Sequence, residues 1–284
     1  MRAAASTSTP AAPAPGAASV APASDAPVAL AVTGLSIRFG GLTAVQDMTF
    51  EVREGEVLSL IGPNGAGKTS AFNAITGYLQ ASSGEIVYRG VSLRGLKPNQ
   101  IAAHGVVRTF QKTSVFGGLT VLDNVLVGLH RRARQHPLAI MLGLPSIRRD
   151  EERLREAAWE VLRLIGLEAR AGETAVSLPY GELRLLEVAV ALAAEPTLLL
   201  LDEPAAGMNP AETGAFMALL GRIRARGVTV LLVEHDMKMV MGVSDRIVCL
   251  NQGRIIADGP PAAIQRDPQV IRAYLGERYV RAQG

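Results

Sequence analysis

From Leu30 onward, short β-branched or leucine-rich runs alternate with longer stretches in which apolar residues recur at helical spacing. Strands turn successive side chains to opposite faces and helices repeat every 3.6 residues, so this alternation predicts an α/β domain without internal repeats. Early strands are expected at 31–39, 48–52 and 56–61, the third running straight into a glycine-rich loop and a helix. The later runs at 197–201 and 228–233 are apolar throughout, as in parallel strands covered on both faces. Between them, residues 149–165 place Leu154, Ala157, Ala158, Val161, Leu162 and Ile165 on one helical stripe, with Asp150, Glu151, Arg153, Arg155 and Glu156 elsewhere on the wheel. This predicts a helical insertion between strands.

Residues 1–28 interrupt the pattern. Pro10, Pro13, Pro15, Pro22 and Pro27 lie there in an Ala/Ser/Thr background almost without large apolar side chains, which reads as a disordered tail. The rest is rich enough for a core: of 284 residues 48% are hydrophobic and 19% charged, with a mean hydropathy of +0.22. A collagen-like or wholly disordered chain is thereby excluded. Lys plus Arg total 29 against 26 Asp plus Glu. So small a surplus does not argue for nucleic acid. Cys249 is the single cysteine, inside an apolar run, and is expected to be a small core residue; with four histidines beside it, a structural zinc site is not expected. No apolar stretch approaches the ~18–20 residues of a membrane span, and Arg2 is not followed by a Leu/Ile/Val-rich segment, so the expected location is the cytoplasm.

Two motifs carry chemistry. Gly62-Pro63-Asn64-Gly65-Ala66-Gly67-Lys68-Thr69 matches G-x-x-x-x-G-K-[ST] between an expected strand and an expected helix. Glycines let backbone N–H groups turn inward around phosphate oxygens, and the helix offers its positive end to the same anion. Lys68 would reach the β- and γ-phosphates and Thr69 would hold Mg²⁺; the plain alternative is a glycine-rich turn with a solvated lysine. The second motif, Leu198 to Leu201 followed by Asp202 and Glu203, ends a buried strand in two acids. Asp202 can bind Mg²⁺, and Glu203, one residue further on, is the better general base for the attacking water. The alternative makes both acids helix caps.

With these residues in place, the chain from about Leu30 to Gly276 resembles the ATP-binding cassette ATPases. The resemblance implies a phosphate-loop NTPase core with a mainly parallel sheet, an N-terminal antiparallel β subdomain and an inserted helical subdomain at about 112–190, within a domain spanning 29–284. It implies ATP and Mg²⁺ as ligands. The nucleotide would be held by Phe39, stacking on adenine, by residues 62–69 and Ser70, and, from the opposite subunit, by Tyr180, Gly181 and Glu182. Phe39 alone would read as core. Glu203, Gln111 and the switch histidine His235 would be catalytic, and Thr69, Gln111 and Asp202 would be metal ligands. The plain alternative for His235 is a surface histidine, and its neighbour Glu234 reads as a solvated or capping acid. Asn209-Pro210-Ala211-Glu212, within the D-loop of that family, also has the form of a helix start with Asn209 as N-cap.

Within that superfamily the chain is most similar to the longer ATPase subunit of bacterial branched-chain amino-acid importers. Residues 38–42, 202–210, 234–241 and 270–276 carry the similarity, with an insertion at 130–146. The resemblance implies a peripheral subunit on the cytoplasmic face of the inner membrane. Its partners would be two permeases, a second ATPase, paralogous or identical, and indirectly a periplasmic substrate-binding protein. Gln111 and residues 112–118 would form the groove for a permease helix. A urea or amide importer is a close alternative. A lipopolysaccharide-export ATPase and a non-transport cassette protein are more remote, the latter because too few residues separate Gly67 from Gly181 for a long coiled coil and the chain carries one cassette rather than two. One departure stands out: Leu178-Pro179-Tyr180-Gly181-Glu182 replaces the usual L-S-G-G-Q. Pro179 supplies neither the hydroxyl nor the N–H of the serine, which implies a weaker site across the dimer.

Overall fold

The computed structural model describes residues 26–109, 115–130 and 145–275. Most of the expected tail, Gln111 with residues 112–114, and most of the insertion at 130–146 lie outside them. Strands β1 (Val28–Phe39) and β2 (Leu42–Arg53) form a hairpin in which Phe39 faces Leu42 across Gly40 and Gly41. Gly40 takes a φ of +56°, a left-handed turn that glycine adopts without steric cost. β2 starts well before the expected residue 48. The polar residues Thr43, Gln46 and Asp47 hide it, because a register shift with Asp47 at φ +51° brings Val45 and Met48, three apart, onto the same buried side.

β3 (Val57–Ile61) is buried at every position and leads into α1 (Lys68–Ile75). β4 (Ser83–Tyr88) and β5 (Val91–Ser92) come next, then α2 (Pro98–Ala103), β6 (Val106–Arg108) and α3 (Val121–Leu129). α4 (Pro145–Ile165) is the amphipathic helix read from its stripe, and α5 (Tyr180–Ala193) packs with α3 and α4. The chain then runs through β7 (Leu198–Asp202), α6 (Pro210–Ala225), β8 (Thr229–Val233), α7 (Met237–Val243), β9 (Arg246–Asn251) and β10 (Arg254–Gly259). Beyond β10 lie α8 (Pro261–Ile264) and α9 (Pro268–Leu275).

An antiparallel sheet in the order β2-β1-β4-β5 faces a second sheet in the order β10-β9-β3-β8-β7-β6. In the second sheet every pairing from β9 to β6 is parallel, and only the edge strand β10 runs antiparallel. The expected α/β class, with its antiparallel N-terminal sheet and helices inserted between β6 and β7, is therefore observed.

Alternation along the central strands divides the interior. Leu199, Leu201, Val230 and Leu232 join the cluster under α3–α6, whereas Leu198, Leu200, Leu231 and Val233 join the cluster with α1 and the first sheet. A third, smaller cluster gathers Ile61, Val240, Ile247, Cys249, Ile264 and Val270, so α9 is anchored at the end of β3. Parallel pairing also brings the carboxyl ends of β3, β7 and β8 to one edge, where the loops leaving these three strands converge.

Cys249 is buried, as expected, and burial pushes its thiol up to about 11, with Asp267 adding to the rise and Lys68 opposing it. The thiol is therefore protonated at pH 8 and closed to reagent. Ellman's reagent should find no reactive thiol in the native chain at pH 8 and one after guanidinium unfolding.

Candidate functional site

The phosphate loop at residues 62–69 runs from the end of β3 into α1 and needs glycine at two points. A Cβ on Gly62, at φ +147°, would collide with the carbonyl of Leu250 on β9. A Cβ on Gly67, at φ +106°, would lie 2.6 Å from the carbonyl oxygen of Ala44. Gly67 is also the N-cap of α1, and that end has neither a side-chain cap nor an acid in its first turn. Its N–H groups are thus free of a competing anion from their own turn. Asn64, Gly65 and Thr69 are exposed, Pro63 and Ser70 are half-buried, and Ala66 is buried.

Lys68 folds back over the loop, its Nζ donating to the carbonyls of Gly62 at 2.6 Å and Pro63 at 3.1 Å. Burial lowers its pKa, and Glu203 and Asp202 pull it back up. The ammonium therefore lies within electrostatic reach of both acids of the second motif.

Asp202 closes β7 with a fully buried side chain. Its Oδ2 accepts from Arg108 at 2.6 Å, while its Oδ1 is buried without a hydrogen-bond partner. Arg108 donates in turn to Asn73 Oδ1 at 2.5 Å and lies over the Phe72 ring. An orphaned carboxylate oxygen beside a phosphate loop fits a divalent cation completed by phosphates. Among the described residues no cluster of three or more His, Cys, Asp or Glu could hold a metal, so the fit to Mg²⁺ rests on Asp202 together with the oxygens a nucleotide would bring.

Glu203 is half-buried at φ +48°, and its N–H donates to the Val233 carbonyl at 2.8 Å, so β7 and β8 stay paired one residue beyond Asp202. Glu234 departs from the solvated reading. It is 1% exposed, and its carboxylate accepts from the N–H of Ala205 and of His235, both at 2.9 Å. The His235 side chain is exposed, with Nδ1 3.7 Å from Glu234 Oε2. Asn209 caps α6 by accepting from the N–H groups of Ala211 and Glu212, and Glu212 accepts from the Asn209 N–H, the reciprocal box expected from sequence.

The remaining expected residues lie on two other elements. Phe39 is 49% exposed at the end of β1, an available aromatic face rather than core. Tyr180, Gly181 and Glu182 form the first turn of α5, whose N-cap, Pro179, offers no side-chain bond. Glu182 pairs with Arg170 at 2.5 Å, and the Tyr180 hydroxyl donates to the Ala206 carbonyl at 2.9 Å. Of the expected permease groove, residues 115–118 are described, and Phe116 is exposed. Arg108, Asn73 and Glu234 carry no signal in the sequence. Arg108 ends a three-residue strand and Glu234 succeeds an apolar one, so only the fold reveals their partners.

A family model described as ABC transporter matches residues 45–206, and a second, described as branched-chain amino acid ATP-binding cassette transporter, matches residues 254–280. The chain belongs to the ABC-transporter family. It is 47% identical over 249 residues to the high-affinity branched-chain amino acid transport ATP-binding proteins LivG of Salmonella typhimurium and BraF of Pseudomonas aeruginosa, covering 87% of this chain and 98% of each relative. A nucleotide-free ATP-binding cassette from an ABC transporter matches at a TM-score of 0.77 and 30% identity, over 88% of this chain and all of that one. The ADP conformation of such a cassette matches equally well, over 99% of its length. This chain is accordingly an ATP-binding and ATP-hydrolysing ABC-transporter subunit. Among the described residues no helix is long and apolar enough to cross a membrane.

The Arg108–Asp202 pair generates a prediction. Arg108→Ala leaves a carboxylate buried without its counter-charge, which costs about 3–5 kcal/mol for pairs of this kind. In Mg²⁺-free urea unfolding, the variant should lose stability on that scale.

Proposed function

We propose that this subunit drives the import of branched-chain or other hydrophobic amino acids from the cytoplasmic face of the inner membrane. It would dock on two permeases beside a second ATPase subunit, with a periplasmic binding protein delivering the solute. The observation that carries this reading is the 47% identity across 98% of LivG and BraF, together with the branched-chain model over residues 254–280. In this reading two ATPase domains close head to tail around two ATP molecules. Closure supplies the stroke and hydrolysis resets it.

Each side chain takes a role suited to its chemistry. Phe39 offers a flat exposed face to adenine. The N–H groups of Gly62 and of residues 64–70 surround the phosphates, and Lys68 leaves its two loop carbonyls for β- and γ-phosphate oxygens. Thr69, Asp202 and Gln111 would hold Mg²⁺, which when bound offsets phosphate charge. Glu203, one residue past Asp202, accepts the proton of the attacking water, and His235 supports the γ-phosphate from the end of β8. Across the dimer, Gly181 and the uncapped first turn of α5, with Glu182, face the partner's nucleotide. Pro179 contributes no donor there, so the site it completes is the weaker of two in a heterodimer.

Glu203→Gln keeps size and hydrogen bonding but cannot take up the proton. Turnover of the assembled transporter should fall at least about 100-fold with ATP affinity unchanged within about twofold; near wild-type turnover would remove Glu203 from the base role. The transport reading is checked in cells lacking this chain. Uptake of labelled leucine, isoleucine and valine should collapse and return on complementation, whereas selective loss of urea uptake would favour the amide alternative.

A further inference from the structure

Tyr180 stands where the signature pattern has a glycine, and in this structure it is spent on its own chain. Its hydroxyl donates to the Ala206 carbonyl at 2.9 Å and accepts from Arg184 Nε at 3.0 Å. Arg184 also lies over the Tyr180 ring, 5.2 Å from its centroid, and is held by the buried carboxylate of Glu187 at 2.7 Å. A cation donating to the phenol oxygen leaves the phenol's one proton for Ala206 and strengthens that bond.

The surrounding backbone is fitted to this contact. Gly207, at φ +81°, lies so close that a Cβ there would be 2.9 Å from the tyrosine ring. One residue along α5, a Cβ on Gly181 would be 2.6 Å from the Glu212 carboxylate, the residue that completes the capping box of α6. The first turn of α5 is therefore seated on the loop between Glu203 and α6 by the Gly207 approach and one polarised hydrogen bond, and on the first turn of α6 by the Gly181 approach. Ala206 continues the connection, since its N–H donates to the Glu203 carbonyl at 3.2 Å. From the phenol to the backbone of Glu203 there are two hydrogen bonds and one residue.

We propose that Tyr180 is a positioning residue that couples the two nucleotide sites of the paired ATPases. This rests on the head-to-tail pairing proposed above. In that arrangement the first turn of α5 serves the partner's nucleotide and Glu203 serves the chain's own. A displacement of α5 on the partner's ATP pulls, through Tyr180 and Ala206, on the loop that sets the Glu203 backbone. The tyrosine thus does within one chain what a signature glycine, having no side chain, cannot do.

The test is Tyr180→Phe in the assembled transporter, with the isolated full chain as control. Phenylalanine keeps the ring against Gly207 and Arg184 and removes the hydroxyl that bonds Ala206. Binding of a fluorescent ATP analogue to the isolated chain and its melting temperature should stay at wild-type values, because the phosphate loop is untouched. In the transporter, kcat should fall about fivefold with KM within about twofold, and the Hill coefficient for ATP should fall towards one. Unchanged kcat and Hill coefficient would overturn the proposal and leave the pairing intact. A loss of turnover accompanied by weaker analogue binding and a lower melting temperature would also overturn it, since that is the pattern of a merely structural contact. A wild-type Hill coefficient of one would leave no coupling for Tyr180 to carry and would overturn the proposal, whereas a transporter holding a single ATPase subunit would remove the pairing itself.

Discussion

The site depends on a buried carboxylate that is not one of the two acids expected to do chemistry. Glu234, at 1% exposure, must have its charge satisfied from within, and it draws on the N–H groups of Ala205 and His235. These belong to the segments leaving β7 and β8. The same two strands are tied a second time by the bond from the Glu203 N–H to the Val233 carbonyl. The backbones of Glu203, the proposed base, and of His235 on the neighbouring strand are thereby held in fixed relation. Such preorganisation is what electrostatic catalysis requires.

The charge arrangement at the phosphate loop obeys a related logic. Lys68 is engaged by two loop carbonyls and Asp202 by Arg108, so neither charged group is left without a hydrogen bond. Both have capacity in reserve. An ammonium has three donors and a carboxylate about four lone-pair sites, and one oxygen of Asp202 is unused. Ligand phosphates and a cation can be taken up by exchange and addition rather than by exposing bare buried charge. This explains why the arginine at the end of so short a strand as β6 is packed into the site although it belongs to no motif.

Sequence legibility divides along physical lines. The phosphate loop and the pair Asp202–Glu203 are readable because their chemistry is local: a helix end, a turn and a strand terminus within a few residues. The cap on α6 is readable for the same reason, Asn209 and Glu212 being one turn apart. β2 reads short because a bulge at Asp47 breaks the alternation by which a strand is recognised. β5, β6 and β10 are not anticipated, being sheet-edge strands of which two have no more than three residues, and β4 and β9 are not anticipated either although they lie inside their sheets. Arg108 and Glu234 are invisible as site residues because their partners lie far along the chain, at Asp202 and Ala205. What joins distant segments is settled by strand order, and no window of sequence contains strand order.

Tyr180 shows the same division within a single residue. Read as sequence, it is a lost glycine, and the inference runs towards a poorer grip on the partner's nucleotide. Seen in the fold, the substitution has an evident counterpart: Gly207 supplies the room the ring requires, and Arg184 supplies the charge that directs the hydroxyl. One of these residues lies a turn along the same helix and the other on the loop beyond β7, and both have to agree with the tyrosine for the contact to exist. Agreement of that kind across separate elements argues that the first turn of α5 is built to be held against its own loop as well as presented outward. Pro179 belongs to the same design. It withholds a donor from the outer face, and the torsion imposed by its ring, φ −54° at the N-cap, starts the helix at Tyr180 without a side-chain bond. Under the proposed head-to-tail pairing, the signature of this chain exchanges part of its grip across the dimer for a firmer connection to its own Glu203.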